Sequence, residues 1–212
     1  MSDMCPRSLG ACIPRVAGVR AVPPGSSVSA MPQDTTIDIG RPVSGDAVDL
    51  ILDDHRRFED LLRQLRSSES DRPAVLAAFA ALHVAHAEAE ETHVYPQLKK
   101  RRAVDADEAD HGEHEHAEGN EALLEVMECA SDDTQKWADA VENLSALVNH
   151  HLVEEELTIL NPARDELGPR VLAELGEKFA AERNRQIDAD CGRIENVRRI
   201  VAQAEREGLI DD

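Results

Sequence analysis

The chain has 212 residues, with 43 acidic against 23 basic side chains for a formal net charge of -20, and only 2% aromatic residues. A surface this acidic repels phosphate backbones and anionic lipid, which argues against partners among nucleic acids or membranes. Its richness in Ala, Leu, Glu and Arg favours helix over sheet, and no apolar run approaches the roughly 20 residues that would span a bilayer.

Residues 1–43 are rich in Pro, Gly and Ser, lack helical periodicity and are expected to form a disordered tail. Pro6, Pro14, Pro23 and Pro24 cut its apolar stretches, so no continuous secretory core forms. Met31, where the composition changes, is an alternative to Met1 as the start of translation. Cys5, Cys12, Cys129 and Cys191 form neither a CxxC pair nor a disulfide-rich spacing, which fits reduced thiols in a cytoplasmic protein.

From Ser44 the pattern turns helical. Val48, Ile51, Leu52, His55, Phe58, Leu62 and Leu65 follow alternating steps of three and four, the signature of one buried stripe. Residues 67–71 break it, and Pro73 suits the first turn of a second helix. That helix carries Leu76, Phe79, Leu82, His86, Glu90 and Val94 before Pro96 interrupts it. A third starts near Asp107, with His116, Leu123, Met127 and Ala130 facing inward, and the turn and capping residues between Ser131 and Thr134 end it. The fourth holds Val141, Leu144, Val148, His151, Glu155 and Ile159 and stops near Pro162.

Four amphipathic helices joined by short polar loops predict an all-α, up-down-up-down four-helix bundle over residues 44–165. Gly168-Pro169 then opens an additional long C-terminal helix over residues 166–212, with Leu172, Leu175, Phe179, Ile194, Val197 and Val201 roughly in register. It either packs on the bundle or pairs two chains as a homodimer.

The four stripes share one anomaly. Each carries an inward histidine, and the second and fourth add a carboxylate one turn later, in the order H, HxxxE, H, HxxxE: His55, His86 with Glu90, His116, and His151 with Glu155. Four residues of helix rise about 6 Å and turn about 400°, so each His–Glu pair reaches one point from successive turns. A lone buried histidine is usually a hydrogen-bonded core residue. Four of them with two acids, and no matching set of buried Lys or Arg, would cost several kcal/mol if left unpaired, whereas a metal cluster satisfies all six.

The other histidines fall elsewhere. His111 and His114 lie about 140° and about 200° off the third stripe, and His150 and Glu154 lie about 100° off the fourth, so all four read as surface residues. His93 returns to the His86 face one turn further on, as a rim residue or a neighbour of the ligands. Tyr95, the only tyrosine, reads as packing near the bundle end.

The segments LDDHRRFEDLL, HAEAEETHVYP, EHAEGNEALL and HHLVEEELTIL together resemble the hemerythrin-like proteins with HHE cation-binding domains, over about residues 46–165. The resemblance implies a non-haem di-iron centre, oxo- and carboxylate-bridged, that meets small oxidants: O2, hydrogen peroxide or nitric oxide. Mixed imidazole and carboxylate ligation suits iron. Oxygen-carrying hemerythrins use a fifth histidine, one turn from the other on the third helix; here that position is Gly112. Greater carboxylate character weakens the case for reversible oxygen carriage. Oxidative-stress defence by catalase-like peroxide decomposition, and iron or oxygen sensing through the C-terminal helix, stand as the two alternatives.

Overall fold

A computed structural model describes residues 37–129, 132 and 134–210. Among these residues there is helix and no strand. The helices are α1 (Ala47–Arg66), α2 (Arg72–Ala89), α3 (Tyr95–Arg101), α4 (Ala106–Met127), α5 (Gln135–Glu155), α6 (Asn161–Glu166), α7 (Pro169–Asp188) and α8 (Ile194–Glu207). None of them is long and apolar enough to cross a membrane. The expected inward position of Ala130 and most of the expected tail lie outside the described residues.

Side-chain caps set the helix starts. Asp46 accepts from Val48 N at 2.9 Å, Asp71 from Ala74 N at 3.2 Å, Asp105 from Asp107 N at 3.2 Å and Thr134 from Trp137 N at 3.1 Å. Each satisfies an amide that the helix itself leaves without a partner, and is worth about 1 kcal/mol.

Pro96 and Pro162 do not end their helices. Each is preceded by a π-helical turn, Glu90–Val94 and Glu156–Leu160, and the chain then continues helically as α3 and α6. The wider turn closes with the amides of Tyr95 and Asn161 bonding back five residues, to the carbonyls of Glu90 and Glu156. A proline has no amide to give to the regular ladder, and the wider turn lets the helix run on past it.

The expected single C-terminal helix is two helices. Asp190 adopts a left-handed conformation (φ 57°), and the chain bends there between α7 and α8. Gly192 fits at the bend because a side chain would meet the backbone of Ala81, with a Cβ only 2.4 Å from its nitrogen. The apolar stripe of the pair is used internally: Leu172, Leu175 and Phe179 of α7 and Val197 and Val201 of α8 are buried. α7 packs on α1 and α2, and α8 packs on α4. Residues 37–43, at the end of the expected tail, run along α7: Ile37 and Ile39 pack on the core and Arg41 pairs with Asp188 at 2.7 Å.

Two apolar cores stack along the helices. One gathers Phe58, Leu62, Phe79, Leu82, Leu123 and Leu144; the other gathers Ile51, Val94, Leu98, Ile159, Leu175 and Phe179. On α1, on α2 with its π turn, and on α5 the inward polar residues lie between these groups in sequence, so the site is walled by apolar layers on both sides.

Candidate metal centre

His55, His86, Glu90, His116, His151 and Glu155 are all buried, none more than 4% exposed. α1, α2, α4 and α5 bring them together from four directions. The Nε2 atom of His55 lies 3.0 Å from Glu155 Oε2, and that of His86 lies 3.1 Å from Glu90 Oε2. His116 Nε2 is 3.3 Å from Glu90 Oε2, and His151 Nε2 is 3.8 Å from Glu155 Oε2. Three overlapping triads of donor atoms result: His55–His86–Glu155, His86–Glu90–His116 and Glu90–His151–Glu155, each within 4.8 Å.

These approaches are close but are not aligned as hydrogen bonds. All four Nε2 atoms, with Glu90 Oε1 and Glu155 Oε2, are buried without a hydrogen-bond partner among the described residues. Buried polar atoms are almost always satisfied, so one orphan on each of six neighbouring side chains points to an absent common partner. Imidazole and carboxylate donors converging in this way fit a transition-metal cation.

The other ring nitrogen of every histidine is held. His86 Nδ1 lies 3.4 Å from Asp54, His116 Nδ1 2.9 Å from Glu91, His151 Nδ1 2.9 Å from Glu115 and His55 Nδ1 3.0 Å from Glu156. The sequence reading missed these four acids, although each is the chain neighbour of an inward residue: Asp54-His55, Glu90-Glu91, Glu115-His116 and Glu155-Glu156. Each reaches a histidine on a different helix, so the four bonds close a ring around the site. A carboxylate on Nδ1 fixes the ring's orientation and tautomer and leaves Nε2 free to ligate.

Electrostatics follow from this crowding. Burial works against the His55 and His116 imidazolium forms. The carboxylates of Glu155 and Glu156 nevertheless lift His55 to about 9, and those of Glu90 and Glu91 lift His116 to about 10. His86 is also raised, burial being outweighed by Glu90 and Asp54. His151 is lowered, by burial and by the neighbouring His116.

Other residues complete the walls. Arg183 of α7, fully buried, holds Asp54 through Nε at 2.6 Å and Nη2 at 2.9 Å, and also donates to the carbonyls of Ile39 and Gly40. A single arginine in a charged helix carries no periodic signal, and the sequence reading passed over it. Phe179 meets the His86 ring edge-on at 5.7 Å. His83, one turn before His86 and also passed over, is buried against Phe79 and Phe58, and burial pushes its pKa well down.

Tyr95 does more than pack. Its hydroxyl donates to Glu155 Oε1 at 3.0 Å and lies 3.5 Å from Glu90 Oε2, while its ring stacks on His116. It stands against Gly112: a Cβ there would come within 3.0 Å of the Tyr95 hydroxyl. The position where a further histidine was sought is thus taken up by the tyrosine.

His93 is turned away, its Nε2 4.0 Å from Glu182 of α7. The π turn inserts a residue between it and the His86 face and rotates it off that stripe. His111 and His150 are half or more exposed at the rim, and His114 is partly exposed.

A family model described as the hemerythrin HHE cation-binding domain matches residues 46–162, more than half of the chain. The chain belongs to the hemerythrin HHE family. The comparison with curated proteins and that with solved structures each return no match. The matched segment of this hemerythrin-like chain contains all six inward residues and the four acids behind them; Arg183 lies beyond it.

Proposed function

We propose that this hemerythrin-like chain is a non-haem di-iron protein that binds and consumes small oxidants, with hydrogen peroxide the leading substrate. His55, His86, His116, His151, Glu90 and Glu155 would hold the two ions. The observation that carries this reading is the convergence of six buried donor side chains, each with one orphaned atom, while every Nδ1 is anchored behind them. The triads overlap through His86, Glu90 and Glu155, and two carboxylates shared between triads suit two neighbouring ions better than one. The pairing of α1 with α2, of α4 with α5, and of α1 with α5 supports an up-down-up-down arrangement of the four ligand-bearing helices.

Iron bound there would supply electron transfer and open coordination positions for a small oxidant. The chain's own residues do the rest. The carboxylate ring keeps four imidazoles aimed inward, and the apolar layers exclude bulk water. The Tyr95 hydroxyl donates to the Glu155 carboxylate and can follow any change of charge there. Four histidines and a tyrosine contact, rather than five histidines, support oxidant consumption over reversible carriage.

The test is direct. Iron-loaded protein should carry two irons per chain, show a ferric absorption band and evolve O2 from peroxide. His86→Ala and His151→Ala should lose most of the iron and the turnover. Full iron in both variants would overturn the ligand set; two irons without peroxide consumption would overturn the substrate.

A second reading, sensing through the C-terminal segment, draws on one contact: α7 reaches the centre through Arg183 and Asp54 to His86. Iron-dependent change in amide-exchange protection of α7, with no turnover of peroxide, would favour it.

A further inference from the structure

The outer face of α4 and α5 repeats the HxxxE spacing. His111 and Glu115 lie one turn apart on α4, and His150 and Glu154 one turn apart on α5. Both pairs sit beside the inner stripe, and α4 packs on α5, so the four side chains face one another near the surface. His111 Nε2 is 3.7 Å from Glu115 Oε1 and 3.4 Å from Glu154 Oε2. His150 Nε2 is 3.8 Å from Glu115 Oε1 and 3.5 Å from Glu154 Oε1.

These separations are long for hydrogen bonds. Ligand bonds of roughly 2.0–2.2 Å put neighbouring donors of one tetrahedral ion about 3.3–3.6 Å apart; the two contacts to Glu154, at 3.4 and 3.5 Å, fall in that range and the two to Glu115 are slightly longer. His111, Glu115 and Glu154 alone offer three donor atoms within 4.8 Å of one another. A second observation is independent of that spacing. Glu115 is 93% buried at its side chain, and its Oε1 has no hydrogen-bond partner although Oε2 is bonded to His151. A buried carboxylate oxygen directed at two imidazoles, with no donor on it, is a ligand in waiting.

We propose that His111, Glu115, His150 and Glu154 form a second cation site on the outside of the α4–α5 pair, distinct from the buried centre. The donor set, two imidazoles and two carboxylates, selects a borderline divalent ion such as Zn2+ over Mg2+ or Ca2+. Glu115 links it to the interior: one oxygen serves the outer ion while the other holds the Nδ1 of His151. An ion outside therefore draws on the same carboxylate that orients an inner imidazole, so occupancy of one site is felt at the other.

The experiment is a Zn2+ titration of the full, iron-loaded chain by calorimetry, with elemental analysis, for the wild type, H111Q/H150Q and H114Q. His114 is a fair control because it is also partly exposed on α4 and its ion-pair partner among the described residues is Glu118, at 3.5 Å. The wild type and H114Q should bind one Zn2+ more than H111Q/H150Q, or bind it at least tenfold more tightly. All three should keep the same iron content and melting temperature. Glu154→Gln should behave like the double variant. Failure of the inner iron reading would shift total metal equally in every protein, whereas failure of the outer site would erase the difference between them. Equal Zn2+ binding by wild type and H111Q/H150Q, or loss in H114Q as well, would overturn the proposal.

Discussion

Metal loading should be steeply pH-dependent, because the metal-free centre stores protons. His55 and His116 are raised to about 9 and about 10 by the carboxylates around them, from an unfolded value of about 6.5. Between about pH 7 and about pH 8 both remain imidazolium in the metal-free fold, and both must be neutral to ligate. Each proton displaced makes affinity rise about tenfold per pH unit, so these two alone make it rise about 100-fold, or about 2.7 kcal/mol, and His86, whose pKa is also raised, acts in the same direction. His151 adds nothing to this slope, since its pKa is lowered and it is already neutral. The sign for the metal-free protein is the opposite. Raised pKa values confer stability that is fully present below about pH 6.5 and is lost as pH climbs through about 9 to 10. Chelator competition with Fe2+ under anaerobic conditions at the two pH values reads the slope, and a pH indicator in weak buffer reads the protons released. Fewer than one proton released per chain, or an affinity change below about threefold, would refute the argument.

Three further outcomes are expected. Arg183→Met strands Asp54 as a buried carboxylate without its strongest partner; the loss should reach about 3–5 kcal/mol in a denaturant melt, and iron affinity should fall with it. Gly112→Ala places a Cβ 3.0 Å from the Tyr95 hydroxyl, and the Tyr95 ring is fully buried against His116, so the hydroxyl should leave Glu155; a shift of the iron absorption band with a cost of about 1–3 kcal/mol would report it. Gly176→Ala drives a Cβ to 2.1 Å from the carbonyl of Gly45, where neither backbone can yield, so melting should drop by more than in Gly112→Ala and α7 should lose amide-exchange protection.

Much of this architecture can be read from periodicity, and the reason is visible in particular residues. His55, His86, His116 and His151 occupy stripe positions that otherwise hold leucine or phenylalanine, so a polar side chain there stands out. The acids behind them do not. Asp54, Glu91, Glu115 and Glu156 sit about 100° round the helix from an inward neighbour, where an acidic residue ordinarily meets water. Only the lateral packing of helices turns that flank into an interior. The π turns escape for a different reason: counting residues at a fixed angle presumes a uniform helix, and the extra residue rotates His93 toward Glu182. The break between α7 and α8 depends on the close passage of Gly192 over Ala81, 111 residues earlier in the chain, which no local pattern reports.

The carboxylate ring has a consequence for how the fold is chosen. Asp54 of α1 serves α2, Glu91 after α2 serves α4, Glu115 of α4 serves α5, and Glu156 after α5 serves α1 again. Every acid flanks its inward residue on the side facing the next helix in that circuit. Wind the same helices in the opposite sense and each acid would face the wrong neighbour, leaving four histidines without a proton acceptor on Nδ1. Turning any one helix by a single residue would break two links at once, the one it gives and the one it receives. The ring therefore works as a handedness code: it distinguishes the bundle from its reverse-wound counterpart before any metal arrives, which an apolar core of leucines and alanines does far less sharply.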